Sequence, residues 1–76
     1  MVRAYVMVRA GTGAVETVAD AVRATPHVAE AHVVAGDYDV IAEVETGEMY
    51  DVMEIVANEL HEVAGVETTK TYVCIE

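Results

Sequence analysis

The chain has no tryptophan and no phenylalanine, and its only aromatic side chains are four tyrosines. That absence argues for a small, filled aliphatic core rather than a substrate chamber walled by large rings. Cys74 is the single cysteine, so no intrachain disulfide can form, and a cytoplasmic location fits. Positive charge is scarce: Arg3, Arg9, Arg23 and Lys70 face 14 acidic residues, for a net charge of −10. Such a surface repels phosphate backbones and anionic membranes, which excludes direct nucleic-acid binding as an expected activity. With only one lysine, the composition is one expected of a halophile, where salt screens the self-repulsion; an ordinary acidic, soluble protein is the milder reading. No apolar run reaches the length of a transmembrane helix, and the N-terminus lacks the pattern of a signal peptide.

What remains is short and apolar. Seventy-six residues allow one small domain, spanning residues 1–76, and 54% of them are hydrophobic. A chain of this length is marginally stable alone. So much apolar surface is expected to be buried partly against another copy, and an oligomer is predicted.

The chain reads as alternating strands and helices. Val2–Arg9 is rich in β-branched residues and predicts a strand. Gly11-Thr12-Gly13 breaks it, with Thr12 as the expected N-cap of a helix over Ala14–Ala24. Val15, Val18, Ala19 and Val22 form its apolar stripe. Thr25-Pro26 stops that helix, and Val28–Ala35 predicts a second strand. The polar turn Gly36-Asp37-Tyr38-Asp39 leads into a third, over Asp39–Glu45. Thr46 and Gly47 open a second helix with Glu48 in its first turn and Met49, Val52, Met53, Val56, Leu60 and Val63 on its apolar face. Gly65 is the expected C-cap, and Val66–Ile75 the last strand. His27-Val28 and Gly65-Val66 occupy matching places after the two helices.

The order is β-α-β-β-α-β, an α+β fold of the ferredoxin-like plan: a four-stranded antiparallel sheet with both helices on one face and strands one and three in the centre. Alternation assigns Ala4, Val6, Val8, Ala31, Val33, Val40, Ala42, Val44, Val73 and Ile75 to the face under the helices. The opposite face carries Tyr5, Met7, Val34, Ile41 and Tyr72 among charged residues, and nothing in the plan covers it. A second sheet packed upon it gives a dimeric α+β barrel, with His32 a polar member of the interface. Arg9 or Lys70 paired with Glu30 or Glu43 across subunits is one arrangement that this face allows.

Val33-Val34-Ala35-Gly36-Asp37-Tyr38-Asp39-Val40 resembles the hydrophobic-x-Gly-x-Tyr-Asp hairpin of the effector domain (the RAM domain) of Lrp/AsnC transcription regulators. Gly65-Val66-Glu67-Thr68-Thr69-Lys70-Thr71 is similar to the start of that family's last strand. The resemblance implies sheet-to-sheet dimers that assemble further, and an amino acid or related metabolite bound near contacts between dimers. Carried over to matching positions, it implies ligand contacts at Gly36, Asp37, Tyr38, Asp39, Thr69 and Thr71. It also implies a stand-alone form without a helix-turn-helix, acting on transcription by mixing with helix-turn-helix relatives or by controlling free effector. A second reading of the turn stands beside this one: Gly36 permits the bend, Asp37 and Asp39 cap backbone groups, and Tyr38 packs.

His27, His32 and His61 lack metal-ligand spacing, so neither a metal nor another cofactor is expected. Cys74 reads as a small core or interface side chain, and the Met49/Met53 pair as core. The competing readings are a small α+β-barrel enzyme of the monooxygenase or isomerase kind, and an ACT-like allosteric domain. Ala10-Gly11-Thr12-Gly13 is a poor match to the ligand loop of the latter. The favoured expectation is a non-catalytic sensing module.

Overall fold

A computed structural model describes all 76 residues. The elements are β1 (Val2–Ala10), α1 (Val15–Arg23), β2 (Val28–Val33), β3 (Val40–Thr46), α2 (Met49–Ile55) and β4 (Val66–Val73), with a π-helical segment, Val56–Leu60, continuing α2. The strands form one antiparallel sheet in the order β2-β3-β1-β4, the ferredoxin-like arrangement. Helix α1 packs on β2 and β3, and α2 on β3 and β1.

Alternation along the two central strands sorts their side chains cleanly. Ala4, Val6 and Val8 of β1 and Val40, Ala42 and Val44 of β3 are wholly buried beneath the helices. They meet Val18, Ala19 and Val22 of α1 and Val52, Ile55, Val56 and Leu60 from the second helical run. The π segment is closed by the amide of His61 on the Val56 carbonyl at 3.0 Å. This wider turn keeps Val56 and Leu60 both directed inward.

Several expectations fail where cover runs out. Val33 is on the helix side but lies beside Glu16, Ala19, Asp20 and Arg23 at the sheet edge, and it is 50% exposed. Ile75 is 93% exposed, because β1 makes its last bond to that segment one residue earlier, from the Cys74 amide to the Arg3 carbonyl. Met49 and Met53 are surface residues, not core, and Ile55 takes the buried place. Thr12 does not cap α1. The N-cap is Ala14, without a side-chain bond, and the entry is a tight turn through Gly13 at φ 81°. Glu48 is likewise the N-cap of α2 rather than a first-turn residue; the acid there is Asp51.

The two halves enter their edge strands in the same way. Val28 N–H bonds the Thr25 carbonyl and Val66 N–H the Val63 carbonyl, each closing a turn whose third residue is left-handed: His27 at φ 72°, Gly65 at φ 97°. The carbonyls of His27 and Gly65 accept from the amides of Glu45, the last residue but one of β3, and Gly11, the residue after β1. A register shift follows in each edge strand, at Val28/Glu30 and opposite Arg9/Ala10. Gly65 thus belongs to this turn and is not the helix C-cap, which is His61.

The equivalence predicts unequal mutants. A Cβ on Gly65 would stand 3.0 Å from Ala14 Cβ and 3.1 Å from Val18 Cγ2, on top of the left-handed φ. Gly65→Ala should therefore cost about 2 kcal/mol or more. His27→Gly, relieving the same φ while loosening the unfolded chain, should change stability by less than about 1 kcal/mol. Urea melts of the two variants check this. Equal losses would contradict the assignment of a shared turn.

Candidate functional site

Cross-strand register lays out the uncovered sheet face in rows. One row runs Glu30, Glu43, Tyr5, Tyr72 and the next His32, Ile41, Met7, Lys70. Tyr5, Met7, Val34 and Ile41 are half-buried by their neighbours, whereas His32 and Tyr72 are exposed. No helix of the chain lies over them, since both pack on the other side. Around this apolar centre the charges are largely paired within the chain. Arg3 Nη2 donates to Glu45 at 3.0 Å, and Arg3 Nε approaches Glu43 at 3.4 Å. The hydrogen bond to Glu45, and then the charge of Glu43, raise the pKa of the guanidinium above its ordinary value. His32 Nε2 and Glu30 share a 3.0 Å contact.

The turn at residues 36–39 sits at one end of this face. Asp39 Oδ2 accepts from the Ala10 amide at 2.9 Å, and the Asp39 carbonyl accepts from Val34 at 2.9 Å. One oxygen of that carboxylate is thus committed to the end of β1. Arg9 holds the rest of the turn. Its Nε and Nη2 donate to the Asp37 carbonyl at 3.1 and 2.8 Å, and its guanidinium lies 4.9 Å from the centre of the Tyr38 ring. Sequence reasoning missed this role, and gave Arg9 or Lys70 only as one arrangement for pairing with Glu30 or Glu43 of another subunit. Within the chain it is Arg3 that meets Glu43. Register was the available signal, because Val8 opposite Val40 brings Arg9 level with Asp39.

Gly36 is not needed by the turn itself. Its φ is outside the left-handed region, and an added Cβ would find nothing within 4 Å. Thr69 and Thr71 pair with Val8 and Val6, so they point to the helix side of the sheet, while Lys70 and Tyr72 point to the uncovered side. Thr69 Oγ1 is 2.7 Å from His61 Nε2. A single chain therefore does not gather the two threonines and the turn into one pocket. The largest surface hollow, about 570 Å³, is bordered instead by Arg3, Tyr5 and Cys74 with Met1, Ile75 and Glu76. No three potential metal ligands converge anywhere in the chain. No helix is long and apolar enough to cross a membrane.

Comparison with known proteins agrees with this geometry. Residues 3–76 match the family described as the Lrp/AsnC ligand binding domain. The structure is similar to that of TTHA0845 from Thermus thermophilus, with 29% identity and a TM-score of 0.95 over 100% of this chain and 95% of that one. It is similar to FFRP-DM1, with 31% identity and a TM-score of 0.92 over 99% of this chain and 100% of the other. The transcriptional regulator NMB0573 from Neisseria meningitidis, solved as a complex with L-Met, shares the fold at 21% identity and a TM-score of 0.87. This chain aligns over 99% of its length with 50% of that regulator. No curated protein matches. With all but its first two residues covered by the family match, the chain belongs to the Lrp/AsnC ligand-binding domain family.

Proposed function

We propose that the chain is an effector-binding and oligomerisation module, which pairs through its uncovered sheet face and binds an amino acid or related metabolite at the 36–39 turn. Through its assembly state it modulates transcription regulators in the cytoplasm, and it catalyses nothing. The observation that carries the reading is the uncovered face, with Tyr5 opposite Tyr72 and Met7 beside Ile41. A cluster of that kind is stable when a second sheet covers it. Charge supports the same assignment. The face holds Arg3, Arg9 and Lys70 against Glu30, Asp39, Glu43, Glu45 and, beside Arg3 and Tyr5, Glu76, so only two of the ten net negative charges reside there. Two such faces can meet without strong repulsion. The remaining, acidic surface suits a salt-rich medium that screens it.

The effector class is taken from chemistry and from likeness. Asp39 has a second carboxylate oxygen to receive an ammonium, and the open space at Gly36 lets a ligand approach the backbone. The L-Met bound to the Neisseria regulator belongs to the same class of ligand. Thr69 and Thr71 join the site only where another subunit completes it. Against an enzyme stands the interior between sheet and helices, filled by fifteen apolar residues.

Calorimetry against the common amino acids tests this. One of them should bind, and Asp39→Ala should weaken it by about tenfold or more, the worth of a charge-assisted bond. Gly36→Ala should weaken binding as well, yet leave stability unchanged or raised by about 0.5 kcal/mol. A dimeric protein that binds none of them would overturn the effector assignment.

A further inference from the structure

Among the arginines, Arg9 alone has no carboxylate partner. Arg3 is paired with Glu43 and Glu45, and Arg23 with Asp20, but no acid comes within ion-pair distance of Arg9. One acid is nevertheless its neighbour. The Asp39 amide donates to the Val8 carbonyl at 2.9 Å, and Asp39 Oδ2 accepts from the Ala10 amide at 2.9 Å, so Asp39 is bonded to the residues on both sides of Arg9. Opposite charges placed this close on adjoining strands ordinarily pair. Here each is diverted to a backbone group, Asp39 to the Ala10 amide and Arg9 to the Asp37 carbonyl. Lys70 also lacks an acid within ion-pair distance, but it stands opposite Met7 in the middle of the face, away from the turn.

Both groups keep unused capacity, of opposite kinds. Arg9 spends one N–H of Nε and one of Nη2 on Asp37, which leaves the edge formed by Nη1 and Nη2 free to donate. Asp39 keeps its second oxygen free to accept. The Tyr38 ring, with its centre 4.9 Å from the guanidinium carbon, lies against the guanidinium and holds its orientation. Space at Gly36 is open, since an added Cβ would meet nothing within 4 Å. A cation and an anion kept close yet unpaired match a ligand that carries an ammonium and a carboxylate on a single carbon.

We propose that Arg9 receives the effector's carboxylate while Asp39 receives its ammonium, so that the site selects α-amino acids with both charges free. The inference rests on the reading of the 36–39 turn as the effector site. A guanidinium edge presents two parallel N–H groups to a carboxylate, a geometry that a lysine or a backbone amide does not reproduce. One side chain then has two tasks: one edge holds the turn through Asp37, and the other binds the ligand. An amino acid whose carboxylate is neutralised keeps the contact with Asp39 and loses the charged contact with Arg9.

The probes are the common amino acids and, for each that binds, its α-carboxamide, which keeps the ammonium and loses the negative charge. Calorimetry should find the carboxamide weaker than the acid by about tenfold or more, the worth of a charge-assisted bond. Arg9→Gln should weaken the acid by about tenfold more than it weakens the carboxamide; the difference between the two probes removes any general loosening of the turn. Asp39→Asn, which retains an oxygen for the Ala10 amide, should weaken both probes alike, because both carry the ammonium. Circular dichroism checks that each variant is folded. Equal weakening of acid and carboxamide by Arg9→Gln would overturn the proposal, leaving Arg9 as a support of the turn. A lower particle mass of Arg9→Gln without any probe would overturn it too, by assigning the free donors to an acid of a second copy. If no amino acid binds, the effector reading fails and this one with it; if one binds and its carboxamide binds as tightly, only the role of Arg9 fails.

Discussion

Met7→Asp should dissolve the oligomer into free, folded chains. Met7 occupies the middle of the uncovered face, paired with Ile41 on one side and Lys70 on the other, with Tyr5 two residues away on the same face. In a two-fold arrangement each interface contains the substituted residue twice. A carboxylate buried there without a full set of partners costs about 3 kcal/mol or more. Two of them amount to about 6 kcal/mol, a weakening of dimerisation by roughly ten-thousandfold. Lys70 is in a position to recover part of this, which is why the expectation is set at the lower end of the range for a broken buried pair. The fold itself should survive, because in the isolated chain position 7 is only half-buried and faces away from the helices. Sedimentation of the variant beside Met53→Asp, which alters the opposite side, separates the two outcomes: only the sheet-face change should lower the mass.

Leu60→Ala carries the largest expected loss of stability. Leu60 heads the set of fully buried side chains and lies at the end of the π segment, in contact with the single core cluster. Removing three carbons from such a place typically costs about 2–5 kcal/mol, the spread reflecting how far the surroundings can collapse. A domain of this size has little to spare, with total stability on the order of 5–15 kcal/mol. The melting temperature should fall by roughly 10 °C or more. Melts must be compared at one protein concentration, since pairing adds to apparent stability. A fall of only a degree or two would mean that the π segment frays and that Leu60 is not the anchor its burial implies.

The fold was legible because its signals are local and repeated. Apolar residues at helical spacing, a breaker after each helix and alternation in β1 and β3 are properties of short stretches, and all correspond to the observed elements. Even the parallel between His27-Val28 and Gly65-Val66 extends to matched backbone conformations. Sequence reasoning failed where cover is decided by distant elements. The spacing of Met49 and Met53 marks a helix face, but periodicity does not say where the centre of that face lies over the sheet. Rotation of α2 puts Ile55 inward and the two methionines outside. Val33 and Ile75 alternate correctly yet lie beyond the edge of what the helices and β1 protect.

The site was legible in part, for similar reasons. Tyr5, Met7, Ile41 and Tyr72 were placed on one face by alternation alone, and register joins them. The role of Arg9 depends on a contact 28 residues away in sequence, so only the pairing of β1 with β3 reveals it. Gly36 invited a conformational explanation that its φ does not require. Thr69 and Thr71 came from family likeness, and their inward direction is what β-alternation dictates once Lys70 and Tyr72 face outward.

Everything proposed for pairing depends on whether the bare side of the sheet is covered by a twin. Sedimentation equilibrium of the unmodified protein, run in low and in high salt, measures that directly. A mass of twice the 8.2 kDa chain, or a larger multiple, is the predicted result. A species of 8.2 kDa at every concentration and salt would contradict it, leaving Tyr5, Met7, Ile41 and Tyr72 facing water.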